Sequence, residues 1–233
     1  MTSTNAIIYL ITIPIVASPL IYLIGRITLP RHKNKTVNSP SRWLAFLAML
    51  ADGVPLYFVI RHFLTDGTLQ LTINAIQLEI DGIALIMAVS VWLLGLMVMI
   101  FSAKYMSNEL NEEKYYALLC AMVGTIIGLG SAADLFNLWV WFEAMAITSY
   151  MLVAFYRSQP ASLEAGVKYL VQSAAGSSLV LLGIALTFMA TGTTTLSEIK
   201  TAASASPILL ASGALFLIGF GVKTALVPLS APN

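Results

Sequence analysis

Charge is scarce in this chain. Of its 233 residues, 10% are Asp, Glu, Lys or Arg, against about 25% in ordinary soluble domains. A water-exposed globular fold of this length cannot cover its surface with so little charge. The net charge is +1, which leaves no electrostatic case for nucleic acid as a partner. Cysteine is nearly absent too. Cys120 stands alone, so an internal disulfide is excluded and the redox compartment stays open. The opening MTSTNA lacks the basic region of a cleaved signal peptide. Residues 6–25 are also long for a signal core, and we read them as a retained helix. His32 and His62 have no ligand cluster around them, so neither a metal nor any other cofactor is expected.

What the chain has is hydrophobic length. Hydrophobic residues make up 58%, and the mean hydropathy is +0.86. The apolar runs are near 20 residues, long enough to cross a bilayer as helices. They are continuous rather than alternating, which excludes a β-barrel. The expectation is an all-α, polytopic membrane protein with about seven transmembrane helices. The spans are roughly 6–25, 42–60, 83–101, 115–132, 134–156, 167–190 and 208–229. Asp52-Gly53 and Pro55 predict that the second span is bent or locally unwound. Asp134 is placed to cap the fifth helix, and Pro207 suits the first turn of the seventh. The loops are short. The longest connection, 61–82, contains TLQLTINAIQLEI, whose partial alternation predicts a small hairpin outside the membrane.

Basic residues give an orientation. Arg26, Arg31, Lys33, Lys35, Arg42, Lys104, Lys114 and Arg157 fall in odd-numbered connections, against Arg61 and Lys200 on the other side. That bias puts the odd-numbered loops in the cytoplasm of a cell-membrane protein, with the N-terminus outside and the C-terminus inside. An anionic lipid headgroup patch at Arg26–Arg42 would give the same orientation.

Five ionisable residues stand in or at the ends of spans. Glu143 interrupts DLFNLWVWFEAMAITSYMLVAFY nine residues after Asp134, about 14 Å along a helix, near the middle of a hydrocarbon core about 30 Å thick. Lys223 lies in GFGVKTALVP inside the last span. A charge at such depth costs roughly 2.5–3.5 kcal/mol on insertion scales. Each must face the protein interior, water or a partner charge. Burial disfavours the charged form of both groups, and an opposite charge restores it. A Glu–Lys pair can therefore switch between an ion pair and a neutral pair by moving one proton, without metal or cofactor. The competing reading is a static pair that fixes helix packing. Lys168 opens the sixth span four residues after Glu164, as a relay or as a snorkelling end charge. Asp52 is read as a cap of a broken helix, a water-facing group or an ion ligand. Asp134 is read as a cap before a carrier. The small residues of GTIIGLG, AAGSS and SGALFLIGFG permit close helix contact. A discontinuous last helix near Pro228 would suit a transport site.

DLFNLWVWFEAMAITSYMLVAF, EAGVKYLVQSAAGSSLVLLGIAL and LFLIGFGVKTALVPL resemble the antiporter-like membrane subunits of respiratory complex I (NADH:quinone oxidoreductase). They equally resemble the large subunits of Mrp-type sodium/proton antiporters. DGIALIMAVSVWLLGLMVMIFSAKYM fits the third span of that family. The resemblance covers most of residues 79–229, and the first 78 match in layout only. It implies that Glu143 and Lys223 form a charge pair in a proton path, and that Lys168 matches a lysine opening the sixth span. It implies partners as well: other polytopic membrane subunits, with lipid around them, moving protons and, in the Mrp setting, sodium.

The resemblance also implies about fourteen helices built on two inverted repeats. The expectation is thus a partial antiporter-like fold lacking the second inverted repeat. Residues 1–78 hold two N-terminal helices and an outer loop, 79–113 the third helix and a cytoplasmic loop, and 114–233 a partial proton-translocating repeat. A split subunit, a shortened paralogue and a fragment all fit, as does a non-transporting scaffold or assembly subunit. No residue is a redox ligand, so an oxidoreductase label belongs to the assembly and not to this chain's own chemistry.

Overall fold

The structure, a computed structural model, describes residues 3–28, 40–73, 76–106, 109, 111–156, 158–202 and 206–224. Of the basic residues that set the orientation, Arg31, Lys33, Lys35 and Arg157 lie outside these, as do His32 and Pro228. The elements in order are α1 (Ser3–Thr28), α2 (Pro40–Asp66), β1 (Leu69–Ile73), β2 (Ile76–Ile80), α3 (Gly82–Tyr105) and α4 (Glu112–Gly130). There follow α5 (Leu135–Val153), α6 (Pro160–Thr191), α7 (Leu196–Ala202) and α8 (Pro207–Lys223). By length and hydropathy α1, α2, α3, α5 and α6 can each cross a membrane, and α8 is a shorter apolar helix. The fourth expected span, 115–132, corresponds to α4, whose first turn is charged.

The chain divides into two compact units. One comprises Met1–Leu71 and Glu79–Ser131, the other Thr72–Leu78 and Ala132–Asn233. In the first, α1, α2 and α4 pack together and α3 lies against α2 and α4. Its core includes Ile7, Leu10, Met49, Val59, Tyr116 and Ile127. Small residues set the distances. A Cβ on Gly124 of α4 would stand 2.7 Å from Ile15 Cγ1 of α1. At the charged end Arg42 donates from Nε and Nη2 to Glu112 Oε1, at 3.0 and 2.8 Å. Arg26 lies 3.9 Å from Glu113. Both glutamates occupy the first turn of α4, where the helix dipole also favours them.

Of the two forms expected for the second span, bent or locally unwound, the unwound one is corrected. α2 stays helical through Asp52-Gly53 and Pro55. Unwound backbone facing lipid would leave polar groups without partners. The helix accommodates Gly53 against the Trp92 ring of α3, whose Nε1 donates to the Met49 carbonyl at 2.9 Å. On α3 the residues Ile83, Ile86, Leu94, Ile100 and Phe101 are exposed, a face suited to lipid and to no aqueous surface.

The hairpin expected between α2 and α3 forms as β1 and β2. The Glu79 amide donates to the Ser131 carbonyl at 2.8 Å, and the Ala133 amide to the Gln77 carbonyl at 3.0 Å. In the second unit α6 packs closely on α8 and also on α5. α6 starts at Pro160, seven residues before the expected boundary, because Pro160 has no amide to lose at a first helical position. It ends at Gly192, whose φ of 76° suits a glycine. α7 is an addition that no apolar run announced. Its approach is tied back to α5 by Leu135 N donating to Thr194 O at 2.9 Å and Leu196 N to Ala133 O at 3.1 Å.

Candidate functional site

The second unit brings Glu143 of α5 and Lys223 of α8 together. Lys223 Nζ donates to Glu143 Oε1 at 2.7 Å. The same oxygen accepts the hydroxyl of Ser177 of α6. Three helices thus converge on one carboxylate oxygen. The lysine side chain is 4% exposed and the glutamate 31%. A buried pair of this kind persists only while both members stay matched.

Each position follows from local structure. Asp134 caps α5, its Oδ1 accepting from the Asn137 amide at 2.7 Å, so Glu143 is carried to mid-helix. Ser206 caps α8 through the Leu209 amide at 3.2 Å. Lys223 then falls on the last residue of α8, one before the C-cap Thr224, where the negative end of the helix dipole favours a cation. The expected span ran on to 229, and residues beyond 224 are outside those described. Gln172 of α6 donates to the Val222 carbonyl at 3.2 Å and so holds that end of α8. The Lys223 ammonium also stands 5.0 Å from the Phe142 ring centroid, close enough for a cation–π contribution.

The crossing of α6 and α8 depends on two glycines. A Cβ on Gly176 would lie 2.9 Å from the Gly219 carbonyl oxygen, and one on Gly219 would lie 2.7 Å from Val180 Cγ2. About two to three turns along, Thr187 and Ser212 hydroxyls meet at 2.6 Å and Ser212 donates to the Gly183 carbonyl at 2.9 Å. This polar clasp fixes the register of the two helices.

The other sequence-predicted residues stand apart from the pair. Lys168 pairs with Glu164 at 2.9 Å, and both side chains are largely exposed. It lies nine residues before Ser177 on α6, about 14 Å along the axis, and on the third turn rather than at the helix start. Asp134 serves the α5 cap. Asp52 belongs to the other unit, fully buried in α2. Among the described residues no three His, Cys, Asp or Glu side chains converge as for a metal. Sequence reading missed Ser177 and Phe142 as contacts of the pair. Ser177 sat in a run already explained by close helix packing, and only its distance from Glu143 sets it apart.

Two family models match the chain. One is described as NADH:quinone oxidoreductase/Mrp antiporter, transmembrane, over residues 132–231. The other is the N-terminus of chain 5 of NADH-ubiquinone oxidoreductase (complex I), over residues 64–116. F(420)H(2) dehydrogenase subunit N of Methanosarcina mazei is 31% identical over 92% of this chain and 43% of its own length. NADH-quinone oxidoreductase subunit N of Desulfitobacterium hafniense is 37% identical over 58% of this chain and 28% of its own. The chain therefore spans less than half the length of these relatives. A chain of the membrane-bound sulfane sulfur reductase, an archaeal respiratory membrane complex, shares the fold with a TM-score of 0.84 at 24% identity, covering 96% of this chain and 46% of its own. The matched blocks include the α5, α6 and α8 segments that build the charge pair, and the chain belongs to the family of antiporter-like membrane subunits named for NADH:quinone oxidoreductase and the Mrp antiporters.

Proposed function

We propose that the chain acts as an antiporter-like subunit of a multisubunit, complex I-like proton-translocating assembly in the cell membrane, with Glu143 and Lys223 as its proton-transfer pair. The observation that carries this is the 2.7 Å contact between a deeply buried ammonium and a mid-helix carboxylate. With the pair closed, both ions are satisfied. When α8 withdraws, each is left in a poorly solvating interior. One proton passing from the ammonium to the carboxylate along their hydrogen bond, before the contact opens, neutralises both. The amine is left able to take up another proton, and the acid able to release one. Ser177 holds Glu143 Oε1 in place while the lysine moves. Lys168 has its own partner in Glu164 and enters as a relay between this pair and a neighbouring segment. Redox chemistry belongs to other subunits. In this reading the N-terminus faces outward and the odd-numbered connections face the cytoplasm.

A second setting, sodium/proton exchange as in Mrp antiporters, is favoured by the description of the model matching residues 132–231. The same pair serves it, with sodium flux replacing redox drive. The test is Glu143→Gln, which keeps shape and removes charge. In vesicles containing the chain with its native membrane partners, proton flux should fall by roughly 10²-fold, the low end of what a positioned proton-transfer group contributes. Unchanged flux in an assembled complex sinks the proposal.

A further inference from the structure

The Glu143–Lys223 pair leaves one buried acid in the other unit without a use. Asp52 lies on α2, 12 residues from one end of a 27-residue helix and so near its middle. Its side chain is fully buried, on the stripe formed by Ala45, Met49, Leu56 and Val59. Neither Oδ1 nor Oδ2 has a hydrogen-bond partner among the described residues.

The helices packed on α2 offer no cation at that depth. α1 carries Arg26 as its charged residue, in its last turn, with Tyr9 and Tyr22 as other titratable groups. α3 carries Lys104 in its last turn, next to Tyr105. α4 carries Glu112, Glu113 and Lys114 in its first turn, then Tyr115, Tyr116 and Cys120. Cys120 is the group within electrostatic reach of Asp52. A thiol cannot balance a carboxylate. On α2 itself Arg42 is committed to Glu112, and Arg61 is nine residues away.

Burying an ionised carboxylate without a cation or a hydrogen-bond donor beside it is costly, and such a group neutralises instead. We propose that Asp52 is a proton-binding site, held as a neutral carboxylic acid at mid-membrane depth and distinct from the Glu143–Lys223 pair. Loading takes one proton from hydronium onto one carboxyl oxygen. Emptying returns that proton to water and leaves a carboxylate that the present packing does not solvate. The acid is therefore loaded in this conformation and empties when water or a cation reaches α2. This site stands independently of the proposed function, because its test reads protonation and not transport.

The experiment is infrared difference spectroscopy on the assembled complex in vesicles at neutral pH, comparing the native chain with Asp52→Asn and Glu143→Gln. The expected result is a carboxylic-acid carbonyl band that is lost in Asp52→Asn, kept in Glu143→Gln and shifted in heavy water. Labelling aspartate carboxyls with carbon-13 gives a second reading on the native chain. The labelled acid band is assigned to Asp52 by its loss in Asp52→Asn and its displacement in Asp52→Glu, the second variant keeping an acid at the position where the Asn variant fails to assemble. Absence of that labelled acid band overturns the proposal. So does a band that never shifts in heavy water, or one that disappears on adding sodium at constant pH, which would make Asp52 a cation ligand.

Discussion

Adding one methyl group where α6 crosses α8 should loosen the charge pair without touching either charge. In Gly176→Ala the new Cβ would lie 2.9 Å from the Gly219 carbonyl oxygen and 3.2 Å from Lys223 Cγ. Carbon–oxygen contacts relax near 3.3–3.6 Å, so α8 must withdraw by about 0.4–0.7 Å. Lys223 ends α8 and moves with it, stretching a 2.7 Å contact to about 3.1–3.4 Å, beyond the charge-assisted range. With an effective dielectric of about 20, the attraction weakens by roughly 1 kcal/mol over that distance. Overpacking adds about 1–3 kcal/mol, while the better helix propensity of alanine returns up to about 1 kcal/mol. The net loss is then about 1–3 kcal/mol, and each kcal/mol should lower the melting temperature by about 2–4 °C at this chain length. Gly213→Ala is the matched control, since nothing lies within 4 Å of its added Cβ. Both variants would be measured by thermal unfolding in mild detergent and by proton flux in vesicles. Gly176→Ala should melt earlier and carry less flux, and Gly213→Ala should carry native flux and melt at the native temperature or up to about 4 °C above it. Equal melting and equal flux for the two would refute the close crossing and its link to Lys223.

Other perturbations separate the remaining parts of the structure. Ser177→Ala removes one donor to Glu143 Oε1, a hydrogen bond to charge contributing about 1.5–3 kcal/mol. Its flux should fall, be largely restored by Ser177→Thr, and leave assembly on native gels unchanged. Arg42→Met leaves the buried Glu112 carboxylate unmatched and should destabilise the chain by about 1.5–3 kcal/mol in unfolding assays. Adding Glu112→Gln should recover much of that loss, and no recovery would show that the pair is not what stabilises this end. Orientation can be read with cysteines at Lys200 and Glu109, both exposed, in a Cys120→Ser background. An impermeant thiol reagent outside intact cells should label position 200 and spare 109, and the reverse pattern would invert the proposed topology.

Sequence alone determined the class, an all-α polytopic membrane chain, and which charged residues need partners. Scarce charge and 20-residue apolar runs leave helices as the way to satisfy the backbone in lipid. A glutamate and a lysine set inside such runs must be matched, because mid-membrane charge is costly wherever the helices happen to lie. The cap at Asp134 and the Pro207 start of α8 were local chemistry, legible within a few residues. What only the tertiary structure decided was which distant side chains meet. Glu143 and Lys223 are 80 residues apart, and their contact exists because Gly176 and Gly219 let two helix backbones approach. Ser177 joins them for the same reason, although its own sequence reads as one small residue among several. Asp52 shows the converse. Its position on a helix was visible, but the isolation of its carboxyl is a property of three other helices packed around α2. Periodicity and composition report what one segment requires of its surroundings. Only packing shows whether, and by which residue, that requirement is met.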